Sequence, residues 1–144
     1  MSASDPRSSR PAYVRPAYLC TVWLGGAGGT AARYLLGSEV AGGSQLPLVT
    51  FLINVVGAFM LGVLLERLGR DGGEPERRRY VRLFVGTGFL GGFTTYSALA
   101  AEVVQLGQAG LTARAVGYAL GTVLLGAVAS LAGILAGVRL RVKP

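Results

Sequence analysis

Leu46-Pro47-Leu48-Val49-Thr50-Phe51-Leu52-Ile53-Asn54-Val55-Val56-Gly57-Ala58-Phe59-Met60-Leu61-Gly62-Val63-Leu64-Leu65 carries no charge and is closed by Glu66 and Arg67. A helix rises about 1.5 Å per residue, so a run of this length matches the ~30 Å hydrocarbon core of a bilayer. Three more runs flank it. One spans about 17–36, broken only by Arg33; the next runs from Leu83 past Ala101 to about Leu106; the last covers 115–138, between Arg114 and Arg139. In a chain of 144 residues, 51% hydrophobic and 15% charged, one small soluble core could not hide all four. The sequence therefore predicts an all-α membrane protein with four transmembrane helices, because a helix satisfies its own backbone in lipid. Four strands are too few to close a barrel.

The remaining segments are short. Residues 1–16 read as a disordered polar tail, 17–138 as the four-helix transmembrane unit (spans about 17–36, 46–65, 83–106 and 115–138), and 139–144 as a basic C-terminal tail. A cleavable leader is not expected, because the first apolar run comes late and more spans follow. Gly42-Gly43, Gly72-Gly73 with Pro75, and Gly107 to Thr112 punctuate the turns.

Charge sets an orientation. With the N-terminus in the cytoplasm, Arg7, Arg10, Arg15, Arg67, Arg70, Arg77, Arg78, Arg79, Arg82, Arg139, Arg141 and Lys143 lie inside, and only Arg33 and Arg114 lie outside. Twelve against two predicts one orientation, with both termini cytoplasmic and the chain multi-pass in the plasma or inner membrane. The net charge of +7 reflects these span ends; no basic stripe with interleaved aromatics suggests nucleic acid. One cysteine, Cys20, and no histidine exclude an internal disulfide and leave zinc or haem almost without ligands. No nucleophile, base and metal set converges, so an enzyme is not expected. Gly26-Ala27-Gly28-Gly29-Thr30-Ala31 fits a dinucleotide-binding pattern but lies in a membrane span and lacks the βαβ context.

Small residues recur four apart at Gly25/Gly29, Gly88/Gly92, Gly117/Gly121 and Gly133/Gly137, a spacing that lets helix backbones approach closely. The third span holds Gly86-Thr87-Gly88-Phe89-Leu90-Gly91-Gly92-Phe93-Thr94-Thr95-Tyr96-Ser97 where continuous helix would stand. Adjacent glycines weaken helix by about 1 kcal/mol each, and Thr94-Thr95 offers oxygens to freed backbone groups. Two readings stand: a mid-membrane break whose carbonyls suit a cation, or close glycine packing with back-bonded threonine. Asn54 likewise serves either as an amide donor to a dehydrated anion or as an interhelical hydrogen bond. Arg33 and Glu102 are the ionisable residues nearest the spans, functional or interfacial, and Tyr118 reads as an interfacial or packing aromatic.

Three motifs then occur in order. Gly25-Gly26-Ala27-Gly28-Gly29-Thr30-Ala31-Ala32-Arg33-Tyr34 resembles G-G-x-x-G-x-x-x-R-[YW]; Asn54 to Gly62 resembles N-x-x-G-x-F-x-x-G; Gly88 to Ser97, with Glu102, resembles G-F-x-G-G-[FL]-T-T-F-S ending in S-x-E. Together they resemble the Fluc (CrcB) family of fluoride channels, over about Leu19 to Val138. The resemblance implies an antiparallel dimer with two pores and a structural, untransported sodium ion held by backbone carbonyls matching Gly91 and Thr94. It implies that Asn54, Thr95, Tyr96, Leu99 and Tyr118 serve the pore, and that Arg33 is the motif arginine of the first span. The family's two phenylalanines correspond to Tyr96 and Leu99 here, and Ala98 replaces its serine or threonine, so the aromatic set is expected to be partly degenerate.

One chain with a twelve-to-two charge split is not expected to insert both ways. The partner expected is a homologous subunit of opposite orientation. The function expected is passive fluoride efflux that lowers cytoplasmic fluoride and its toxicity. The alternatives are a structural subunit of a heterodimeric channel lacking a competent pore of its own, and a small four-span antiporter.

Overall fold

In the computed structural model, residues 15–40, 47–69 and 75–140 are described. The tail read over 1–16, apart from Arg15 and Pro16, lies outside them, as do residues 41–46, 70–74 and 141–144 and the charges they carry. The described chain is helical: α1 (Pro16–Val40), α2 (Leu48–Leu68), α3 (Glu76–Val81), a π-helical stretch (Arg82–Leu90), α4 (Gly91–Phe93), α5 (Tyr96–Gln108) and α6 (Thr112–Arg139). Three helical runs are long and apolar enough to cross a membrane: Leu48–Leu68, Glu76–Gln108 and Thr112–Arg139. With 25 residues α1 is long enough too, but its glycines, Thr21, Thr30, Arg33 and Ser38 dilute its apolar character. It packs beside the other three as a fourth helix.

All four helical runs end later than the apolar runs, and all but α2, which starts at Leu48 rather than Leu46, also begin earlier. Hydropathy registers only the residues facing lipid, whereas Glu76 and Arg77–Arg79 favour helix while lying outside the apolar stretch. Pro75 precedes α3, where its fixed φ suits a helix start. Gly110, at φ 76, makes the tight turn from α5 into α6 that a side chain would strain.

Two close helix pairs build the unit. In the first, α1 lies against the third span: a side chain at Gly25 would strike the Phe84 carbonyl, one at Gly29 the Phe89 carbonyl, and one at Gly92 the Gly26 carbonyl. In the second, Gly62 of α2 meets α6 between Ser130 and Ile134, Gly133 meets α2 between Phe59 and Val63, and Gly137, one turn further on, meets Glu66. Residue numbers rise together in each pair, so the paired helices run in the same direction, as an up-down-up-down bundle requires. Three of the four glycine pairs thus pack closely on a neighbouring helix within the subunit, on its backbone except where Gly137 meets the Glu66 side chain, but Gly117 and Gly121 face open space.

The core is thin: Tyr18, Ile53, Leu90, Leu99, Leu106 and Ala115 are its buried hydrophobics. Trp23, Leu52, Val123, Leu131 and many other large apolar side chains face outward, far more than a soluble monomer exposes. With the apolar length of the helices, this is the surface of a membrane protein.

Candidate functional site

The glycines suspected of breaking the third span do not do so. Gly91 keeps helical φ −64, ψ −36, and Gly92 presses against α1. The backbone turns extended one step later, at Thr94 (φ −75, ψ 156) and Thr95 (φ −150, ψ 123). Both Thr94 groups, its N–H and its Oγ1–H, donate to the Leu90 carbonyl at 2.9 Å and so finish α4. Thr95 starts α5: its Oγ1 accepts from the Ala98 N–H at 3.2 Å and lies 3.1 Å from Ser97 Oγ. Glycine permits the close approach, and threonine supplies the caps on either side.

Asn54 of α2 holds this junction. Its Nδ2 donates to the Thr95 carbonyl at 3.0 Å, and the Thr95 N–H donates to its Oδ1 at 2.8 Å. The interhelical reading of Asn54 is therefore realised, and one amide N–H is left over for any other role. Space is made by Gly57, one turn along, where a side chain would strike Thr94 Cγ2. A cleft of about 280 Å3 opens beside the junction, lined by Asn54, Gly57, Ala58, Gly86, Gly91 and Thr94 among others.

The Thr95 amide is the i+4 donor that would otherwise serve the Gly91 carbonyl, so Asn54 draws it away. The next carbonyl, of Gly92, is claimed by α1: Arg33 Nε donates to it at 3.2 Å and Thr30 Oγ1 at 3.4 Å. Arg33 is thereby engaged with the end of α4.

Glu102 is held by hydroxyls from two other helices. Thr50 Oγ1 donates to Oε1 at 2.6 Å, and the Tyr118 hydroxyl donates to Oε2 at 2.7 Å, with the Pro47 carbonyl 3.4 Å from the same hydroxyl. Thr122 Oγ1 donates to the Tyr118 carbonyl at 2.7 Å, one turn down α6. Thr50 and Asn54 are four apart on α2, so one face of that helix supplies both polar anchors of the third span. Thr50, Thr30 and Thr122 were not singled out from the sequence. The available signal was the four-residue spacing of Thr50 to Asn54 and of Tyr118 to Thr122.

The two positions that match the family's aromatics diverge. Tyr96 is 81% exposed, whereas Leu99 is 6% exposed. Thr95, Leu99 and Glu102 fall at i, i+4 and i+7 of one helical face, the face turned to α2 and α6, so Leu99 packs inside the subunit.

Comparison with known proteins adds a family. Residues 20–134 match the one described as CrcB-like protein, Camphor Resistance (CrcB). A protein of Leifsonia xyli subsp. xyli named fluoride-specific ion channel FluC 2 is 48% identical over 131 residues, covering 91% of this chain and 90% of the relative. The fluoride-specific ion channel FluC of Cereibacter sphaeroides is 45% identical over 121 residues, covering 81% and 93%. That of Gloeobacter violaceus is 44% identical over 118 residues, covering 80% and 91%. The family match over residues 20–134 spans Gly25 and Gly29, Asn54, Gly88 and Gly92, the Thr94–Thr95 junction and Glu102, and the chain belongs to the CrcB-like family.

Proposed function

We propose that the chain is one subunit of a fluoride-selective ion channel, not an enzyme, that lets fluoride leave the cytoplasm passively. The observation that carries this reading is the Asn54–Thr95 exchange, which puts extended backbone and hydroxyl groups between two apolar helices. The names of the relatives support fluoride as the permeant ion. Fluoride enters cells as HF from acidic surroundings, ionises inside and accumulates, and a selective pore lets the ion out along its gradient. Such a pore must replace water without trapping the ion, so it needs several moderate donors. The spare Asn54 N–H, the Thr95 and Ser97 hydroxyls and the electropositive edge of the Tyr96 ring are of that kind. Tyr96 points outward and meets fluoride only on a wall facing a second subunit. Leu99 backs that wall from inside, and Tyr118 reaches it through the carboxylate of Glu102.

The sodium ion that the resemblance implies fits the junction. The Gly91 carbonyl has lost its i+4 donor, a side chain at Gly91 would meet nothing within 4 Å, and carbonyl oxygen suits a hard cation. The Gly91 and Thr94 carbonyls would hold the ion, and its charge would tie together groups that helix geometry leaves unpaired. Two oxygens from one chain are too few, and an antiparallel second subunit completes the set. Given the charge split, that subunit is a homologue inserted the opposite way, and this chain sits in the plasma or inner membrane with both termini cytoplasmic.

A second reading, a partner subunit without a competent pore, is favoured by the inward, aliphatic Leu99. Fluoride efflux from proteoliposomes separates the two when the homologous subunit is paired with the parent or with Tyr96→Ala, because only a chain that lines a pore loses flux with that ring. The channel reading expects fluoride-specific efflux once a homologous subunit is added. Efflux from this protein alone would overturn obligate pairing, and silence with and without the partner would overturn the channel reading.

A further inference from the structure

Gly25 and Gly29 stand one turn apart on α1, yet they meet unequal steps of the third span. A side chain at Gly25 would lie against the Phe84 carbonyl and the Phe89 nitrogen, five positions apart. One at Gly29 would lie against the Phe89 carbonyl and the Phe93 nitrogen, four positions apart. Those are the spacings of a π turn and of an α turn. The π-helical stretch, Arg82–Leu90, is nine residues long, whereas π geometry is mostly a single turn inside an α-helix, frequently at a functional site. An α turn is the ordinary alternative for the same residues, so packing holds the wide form. Gly25 leaves room for it on α1. Just before the stretch, Tyr80 packs edge-on against Tyr18, ring centroids 5.1 Å apart at 67°.

The wide form turns Gly86 toward α2. A side chain there would come within 3.2 Å of Leu64 Cδ2 and 3.9 Å of Leu61 Cδ1. Gly86 and Leu61 both line the cleft of about 280 Å3 that reaches Asn54 and Thr94, while Thr87, the next residue, is exposed. Beyond the stretch, α4 and the junction are fixed by Arg33 and Thr30 at the Gly92 carbonyl and by the Asn54–Thr95 exchange. Tightening the stretch to α geometry therefore moves the half that leads to α3, and it carries Thr87 toward the place of Gly86. We propose that Arg82–Leu90 is a gate that slips between two registers. The π register holds the cleft open with Gly86, and the α register fills it with the Thr87 side chain. What the cleft admits rests on the channel reading; the slip itself does not.

The test uses the full chain with Cys20→Ser and Ala58→Cys, which puts its one thiol in the cleft, reconstituted in proteoliposomes and treated with a water-soluble methanethiosulfonate. The thiol is expected to react. Two single-residue deletions then fix the α register with opposite results. Without Thr87, Gly86 still faces α2, and the variant should fold with a parent-like Tm and keep the reaction. Without Gly86, Thr87 takes that place, and the variant should fold but lose the reaction. Deletion of Leu124, exposed on the regular α6, should unfold the chain by putting half of that helix out of phase. Tyr80→Ala frees the end of the stretch and should slow the reaction without unfolding. The proposal is overturned if the thiol is unreactive before any deletion, or if both short variants unfold as the Leu124 deletion does. It is overturned equally by an unchanged reaction without Gly86 or in Tyr80→Ala. Fluoride efflux with a homologous subunit, measured alongside, fails by itself if the channel reading is wrong, whereas the thiol reports the register whether or not fluoride passes.

Discussion

Asn54 and Thr95, forty-one positions apart, clasp each other by two hydrogen bonds, amide to carbonyl at 3.0 Å and N–H to amide oxygen at 2.8 Å. The Asn54 side chain thereby does for the Thr95 N–H what the Gly91 carbonyl, one turn earlier, would have done in a continuous helix. It both separates α4 from α5 and ties α2 to the third span. Replacing Asn54 with leucine leaves a donor and an acceptor without partners, at a cost of about 1–3 kcal/mol for each unsatisfied buried group. Asn54→Asp keeps the acceptor for the Thr95 N–H but sets a second oxygen against the Thr95 carbonyl. Both variants are expected to lower the Tm in detergent and to abolish fluoride efflux. A parent-like Tm and flux for Asn54→Asp would mean that the clasp is dispensable.

Glu102 gathers Thr50 and Tyr118 from different helices, so its replacement is felt by three elements at once. Glutamine keeps one acceptor oxygen, replaces the other with an N–H donor that the facing hydroxyl must turn round to accept, and removes the charge that strengthens both bonds. Glu102→Gln is expected to destabilise the bundle by about 1–3 kcal/mol. Thr50→Val and Tyr118→Phe should each cost less, and each should cost less still in the Glu102→Gln background. Chemical unfolding of the four combinations measures that coupling. Strict additivity would show that the hydroxyls do not act through the carboxylate.

These contacts mark the limit of what the sequence discloses. Four helices were legible because lipid-facing runs of Leu, Val, Ala and Phe are long and nearly free of charge, and close packing was legible in the glycine spacing. The site of the extended backbone was legible only to within a few residues. The glycine pair and the threonine pair are adjacent, and composition does not say which one packs and which one caps. Tyr118 and Thr50 lie 16 and 52 positions from Glu102, and no periodicity within one helix reports a meeting of three. The nine-residue π-helical stretch left no sequence signal beyond the small residues that tolerate it. Gly117 and Gly121 share the spacing of the packed glycines but meet nothing within the subunit, because spacing reports what a face permits and not what lies against it.

Glycine packing between α1 and the third span gives a direct contrast. A methyl group at Gly29 points into the Phe89 carbonyl, a backbone atom that no rotamer change can move aside, whereas one at Gly126 meets nothing within 4 Å. Gly29→Ala is expected to cost about 1–3 kcal/mol through overpacking. Gly126→Ala should be neutral or gain up to about 1 kcal/mol from helix propensity. Thermal unfolding of the two variants side by side checks this. Equal effects would place α1 further from the third span than the structure has it.

Tyr96 and Leu99 occupy the two positions where the family resemblance expects aromatic rings, yet they face opposite ways. Leu99 packs behind Thr95 and Glu102, so Leu99→Ala should leave a cavity costing about 2–5 kcal/mol. Leu99→Phe, which nominally restores the family's ring, should overpack the same space at about 1–3 kcal/mol and leave flux no higher than before. Tyr96 makes its contribution outside the subunit, so Tyr96→Ala should shift the stability of the isolated subunit by less than about 0.5 kcal/mol. The same variant should reduce fluoride efflux from the proposed channel, because the Tyr96 ring edge is proposed to line a wall shared with a second subunit. Unfolding and efflux measured on the same preparations separate the two residues. Higher flux with unchanged Tm in Leu99→Phe would mean that this position opens onto a pore after all.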